Sequence, residues 1–70
     1  MENLLEHLRE EAEENEDTFF TEFKPNVVWA TSGDSNVTWR LGNRWKEHGR
    51  VEWEDDHENE FHRVTLHIGG

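Results

Sequence analysis

The chain has 70 residues, with 17 Asp and Glu against 7 Lys and Arg, a formal charge of −10 and an isoelectric point near 4.7. It has no cysteine, which excludes a disulfide framework, a thiolate metal site and a Cys nucleophile. A polyanion of this density is excluded from binding DNA, RNA or an anionic membrane by charge, and no apolar run approaches the ~20 residues that cross a bilayer.

Residues 1–15 read as an amphipathic helix. With successive residues 100° apart, Met1, Leu4, Leu5, Leu8 and Ala12 form one stripe, while Glu2, Glu6, Glu10, Glu13 and Glu14 gather opposite it. No Pro or Gly interrupts, and the polar run Asn15-Glu16-Asp17-Thr18 ends the helix. Acids at the C-terminal end oppose the macrodipole, so something other than helix stability places them there.

From Thr18 the hydrophobic period shortens to two. Residues 18–23 (TFFTEF) and 27–32 (VVWATS) read as strands around a Lys24-Pro25-Asn26 turn. Gly33-Asp34-Ser35-Asn36 has hairpin-loop composition, and Val37, Trp39 and Leu41 alternate with Thr38 and Arg40 as a third strand. Gly42-Asn43 reads as a bulge or break and Glu47-His48-Gly49 as a turn. Val51 and Trp53 lie on a fourth strand, residues 55–59 form a polar loop, and Val64, Leu66 and Ile68 mark the last strand. The expectation is one small α+β domain over residues 1–70. An N-terminal helix (1–15) packs on one face of a four- or five-stranded antiparallel meander (18–68). Four Trp and four Phe, each able to bury ~150–250 Å², supply much of a core that is small for a self-supporting domain.

The charge is segregated. Residues 1–17 carry −7 and residues 52–60 carry −6, while residues 18–51 carry +2 and residues 61–70 carry +1. Eight acids over residues 2–17 space one carboxylate per ~3 Å of helix axis, close to the ~3.4 Å phosphate spacing of one DNA strand. Glu52 and Glu54 fall on one strand face, ~6.6 Å apart, and Asp55, Asp56 and Glu58 extend that row. Glu6, Glu10, Glu13 and Glu14 form the first row. Such rows can occupy a cleft built for a phosphate backbone and take charge-assisted bonds from its Lys and Arg.

In size and composition, rather than in any motif, the chain resembles small acidic phage and mobile-element proteins that block restriction enzymes, CRISPR effectors, repair glycosylases and polymerases. That likeness implies a non-enzymatic nucleic-acid mimic, of anti-CRISPR or anti-restriction type, occupying the basic groove of a nucleic-acid-binding protein. No basic n-region followed by an apolar stretch opens the chain. The expected compartment is therefore the cytoplasm, that of the host cell if phage-encoded. The alternative is a structural or adaptor subunit, or a haloadapted domain with only two Lys, that binds a protein through exposed aromatics. Haloadaptation predicts unfolding below molar salt, whereas a mimic stays folded and binds less tightly as salt rises.

Trp45, between Arg44 and Lys46, reads either as a lid on the core or as a partner anchor, since Trp is enriched at binding hot spots. Phe19 and Phe20, being adjacent, face opposite sides of the sheet, which leaves aromatics for a homodimer or a target. His57, His62 and His67 fit no usual ligand spacing, so no metal is expected. No phosphate loop, nucleophile elbow or zinc-protease motif occurs, so neither a cofactor nor an enzyme is expected. The Asn36-Val37-Thr38 sequon reads as chance.

Overall fold

The computed structural model describes residues 3–70, apart from the Lys24 side chain; Met1 and Glu2, read above as the start of the first helix, lie outside the described residues. In chain order the elements are α1 (Leu4–Glu13), β1 (Thr18–Lys24), β2 (Val27–Ser32), α2 (Ser35–Trp45), β3 (Gly49–Asp56) and β4 (Phe61–Ile68), with a 3-10 turn at Lys46–His48. The class is α+β, with helices on one face of a four-stranded antiparallel sheet.

Helix α1 starts where Asn3 Oδ1 accepts from the Glu6 N–H at 2.8 Å, satisfying one orphan donor of the first turn. Its stripe behaves as the periodicity predicts: Leu8 and Ala12 are buried, and Leu4 and Leu5 pack against the core.

The segment read as a third strand is helical. Asp34 caps α2, its Oδ1 accepting from the Asn36 N–H at 2.9 Å. Residues read as a hairpin loop are thus a helix start, and Gly42-Asn43, read as a break, lies inside the helix. Val37, Leu41 and Trp45 satisfy the i, i+4, i+8 spacing of one helix face and are all buried. Trp39, which the strand alternation placed beside them, is 61% exposed.

The sheet order is β1-β2-β4-β3, which corrects the meander. Both β2 and β3 run antiparallel to β4, so they are parallel to each other, joined by α2 and separated by β4. The helix makes this possible: parallel strands need a crossover connection, which a short hairpin loop cannot supply.

Residues paired in register share a sheet face. Val28, Ala30, Val64 and Leu66 point to the helices and are all 0% exposed. With Leu8, Ala12, Val37, Leu41 and Trp45 they form the core, and Phe20, Val51 and Ile68 pack around it. Phe20 meets Trp45 edge to face with centroids 6.3 Å apart. None of the described elements covers the other face of the sheet.

Candidate functional site

The residues singled out from the sequence separate into three places. Glu6, Glu10 and Glu13 lie on the outer side of α1, opposite Leu8 and Ala12, and are exposed. Glu14 sits at the end of the helix and lines the groove between α1 and α2 with Glu11, Arg40 and Arg44. There Arg44 Nη1 approaches Glu11 Oε2 at 3.8 Å. Glu14 therefore faces cations of its own chain rather than continuing the outer row.

The second row splits by strand alternation. Glu52, Glu54 and Asp56 point to the uncovered sheet face, Asp55 points to the helix side, and Glu58 lies in the β3–β4 turn. The open-face carboxylates are engaged. Glu52 takes Arg50 Nη1 at 3.0 Å and lies 3.1 Å from His67 Nε2. Glu54 accepts from Arg63 Nη2 at 2.7 Å. Asp56 accepts from the Glu58 and Asn59 backbone N–H groups and from Asn59 Nδ2, closing the turn. The His67 hydrogen bond, then the Arg50 charge, hold Glu52 below its ordinary value of 4.5. The Asn59 donors hold Asp56 below 3.8.

The two acidic rows do not join. Helix α1 packs on β1 and α2 on the helix side, whereas Glu52, Glu54 and Asp56 occupy β3, at the opposite edge and on the opposite face. The continuous electronegative strip expected from the sequence is replaced by two separate patches.

Trp45 is 0% exposed and cannot act as an anchor for a partner; it closes the core. Among the described residues nothing accepts from its indole N–H.

What the sequence left unplaced is the open sheet face itself. Phe23 and Trp29 stack at 5.0 Å with planes 21° apart. The Arg63 guanidinium lies 4.9 Å over the Trp29 ring and donates to Glu54. Phe23, Trp29, Arg63 and Glu54 thus make one row across all four strands, aromatic at the β1 edge and acidic at the β3 edge. Phe19 and Phe23 are 68% and 58% exposed. Phe19 lines, with Thr31, Ser32, Gly33 and Phe61, a hollow of about 240 Å³. The signal in the sequence was the adjacent pair Phe19-Phe20, of which only Phe20 can reach the core.

Among the described residues no three His, Asp or Glu side chains converge on a common metal position, and no helix is long and apolar enough to cross a membrane. No protein-family model, no curated protein and no solved structure matches this chain.

Proposed function

We propose that this protein is a non-enzymatic binding module that docks its uncovered sheet face onto a basic protein. The observation that carries the reading is the exposure of Phe19 and Phe23 on a face that none of the described elements covers. Burying their exposed parts removes roughly 250 Å² of apolar surface, worth about 6 kcal/mol before costs. Association costs about 4–15 kcal/mol, so two phenylalanines reach only the lower part of that range. The remainder is assigned to charge. A chain of net charge −10 complements a cationic partner and repels a second copy of itself through its overall field, since Glu52 and Glu54 on this face are already paired with Arg50 and Arg63.

The test is affinity capture from the source cell with wild-type protein and with a Phe19→Ser/Phe23→Ser double variant. The reading expects a basic protein to be retained by the wild type and lost with the double variant. Equal retention overturns it. Sedimentation at micromolar concentration supplies the other check: a stable dimer that the double variant abolishes assigns the face to self-association instead.

A second reading keeps the nucleic-acid mimic, of anti-CRISPR or anti-restriction type, and confines it to α1. The exposed line Glu6, Glu10 and Glu13 favours it. Here charge reversal of those three residues, not loss of the phenylalanines, abolishes capture, and competitor DNA releases the partner in a salt-dependent manner.

A further inference from the structure

Helix α2 and strand β3 enclose a second cleft, of about 470 Å³, on the helix side of the sheet. It is lined by Trp39, Trp53, Thr38 and Asp55, with Ser35 and Asn36 at the start of α2. We propose that this cleft receives an arginine side chain from a basic partner, with the guanidinium held against the two indoles and its fork directed at Asp55.

Four observations support the assignment. First, Trp39 is 61% exposed and Trp53 40% exposed, although each would gain from burial. Second, Trp53 is held in place: its Nε1–H donates to the Thr38 carbonyl at 3.0 Å, so the ring is oriented before any ligand arrives. Third, this indole already attracts a cation, since Lys46 Nζ lies 5.2 Å from its centroid. Fourth, Asp55 Oδ1 faces His62 Nδ1 at 2.6 Å, which fixes the carboxylate; among the described residues no bond engages Oδ2.

The ligand chemistry follows from these groups. An anion is excluded by the carboxylate, and an uncharged aliphatic group leaves Asp55 unused. A planar guanidinium satisfies both features, because it stacks on aromatic faces and pairs with carboxylates through its fork, whereas an ammonium is a point charge. The amino terminus of α2, at Ser35, opposes a cation through its dipole. The Asp34 carboxylate that caps this end offsets that field. The inference stands apart from the sheet-face reading: the cleft is on the other side of β3, and neither Phe19 nor Phe23 lines it.

The experiment uses N-acetyl-arginine-N-methylamide as the probe and its citrulline counterpart, which is neutral and nearly the same shape. Amide and indole N–H resonances of the full chain are followed during titration. The proposal expects the Trp39 and Trp53 indole signals to move and saturate with the arginine probe, and to stay in place with citrulline. Trp39→Ala, at an exposed helical position, weakens binding about fivefold. Asp55→Asn weakens it similarly, and Glu22→Gln, on β1 at the opposite edge of the sheet, leaves it unchanged. Three results overturn the proposal: equal shifts with citrulline, wild-type affinity in Trp39→Ala, or shifts spread over α1 as strongly as over the indoles. None of these outcomes bears on whether the sheet face binds a partner.

Discussion

The Trp53 indole occupies the space that a β-carbon on Gly42 would fill. A glycine in the middle of α2 costs about 1 kcal/mol of helix propensity relative to Ala, and here it admits a tryptophan from β3 against the helix backbone. Gly42→Ala is therefore expected to destabilise the protein despite the better helix former. Overpacking costs about 1–3 kcal/mol, and the propensity gain returns part of it. Urea unfolding of the two proteins measures the difference; a more stable variant would contradict the packing described.

Trp39, which strand alternation placed in the core, is exposed, whereas Trp45, read as a lid on the core or a partner anchor, is fully buried. Trp45→Ala empties the centre of the core and is expected to cost about 3–5 kcal/mol, a large fraction of the total stability of a domain this small. Trp39→Ala should change stability by no more than about 0.5 kcal/mol. Circular dichroism during thermal unfolding separates the two.

Glu60 adopts φ 55, a left-handed conformation that side chains with a β-carbon resist. Glu60→Gly relieves this and removes one charge from the second acidic block. The expected gain is about 1 kcal/mol, read as a higher melting temperature. A lower one would mean that the Glu60 side chain contributes more than its backbone costs.

Glu52 and Asp56 are held below their ordinary values of 4.5 and 3.8. A carboxylate whose value is depressed by folding contributes stability above its unfolded value and loses it as pH falls through the folded one. NMR titration of the side-chain carboxyls should place Glu52 below 4.5 and Asp56 below 3.8. In His67→Ala the Glu52 midpoint should move upward, since the His67 hydrogen bond is the largest cause of its depression.

A net charge of −10 on a chain this short predicts a melting temperature that rises between low and moderate NaCl as repulsion is screened. A flat response would count against a crowded acidic surface. Unfolding below molar salt would assign the acidity to a saline environment.

Much of this architecture could be read from the order of residues, and what could not has a common origin. The α1 stripe and the four strands follow from periods of 3.6 and 2, although β3 runs on through Asp55 and Asp56, which read as loop. In the middle of the chain Val37, Trp39 and Leu41 match the strand period while Val37, Leu41 and Trp45 match the helical one. Asp34, a good N-cap, also suits a hairpin loop, so local composition does not choose between them. Burying Trp45, Val37 and Leu41 together against β4 decides for the helix. Once that segment is misread, the sheet order follows it, because a hairpin keeps neighbours adjacent and a helix allows β4 to enter between β2 and β3. At the candidate site, the common face of Glu52 and Glu54 is a property of one strand and was legible. Their pairing with Arg63 and His67 depends on cross-strand register, which only the assembled sheet supplies.

The central position of β4 has a consequence for how the protein comes together. The contacts joining the two hairpins link Val27 to His67 and Ser32 to His62, positions 40 and 30 residues apart in the chain. Each hairpin alone is a two-stranded ribbon, marginal in water. Until the final strand is in place, β2 and β3 have no shared neighbour and α2 has no floor to cover. Loss of residues 61–68 should thus leave no smaller folded remnant, and assembly should await the completion of that strand.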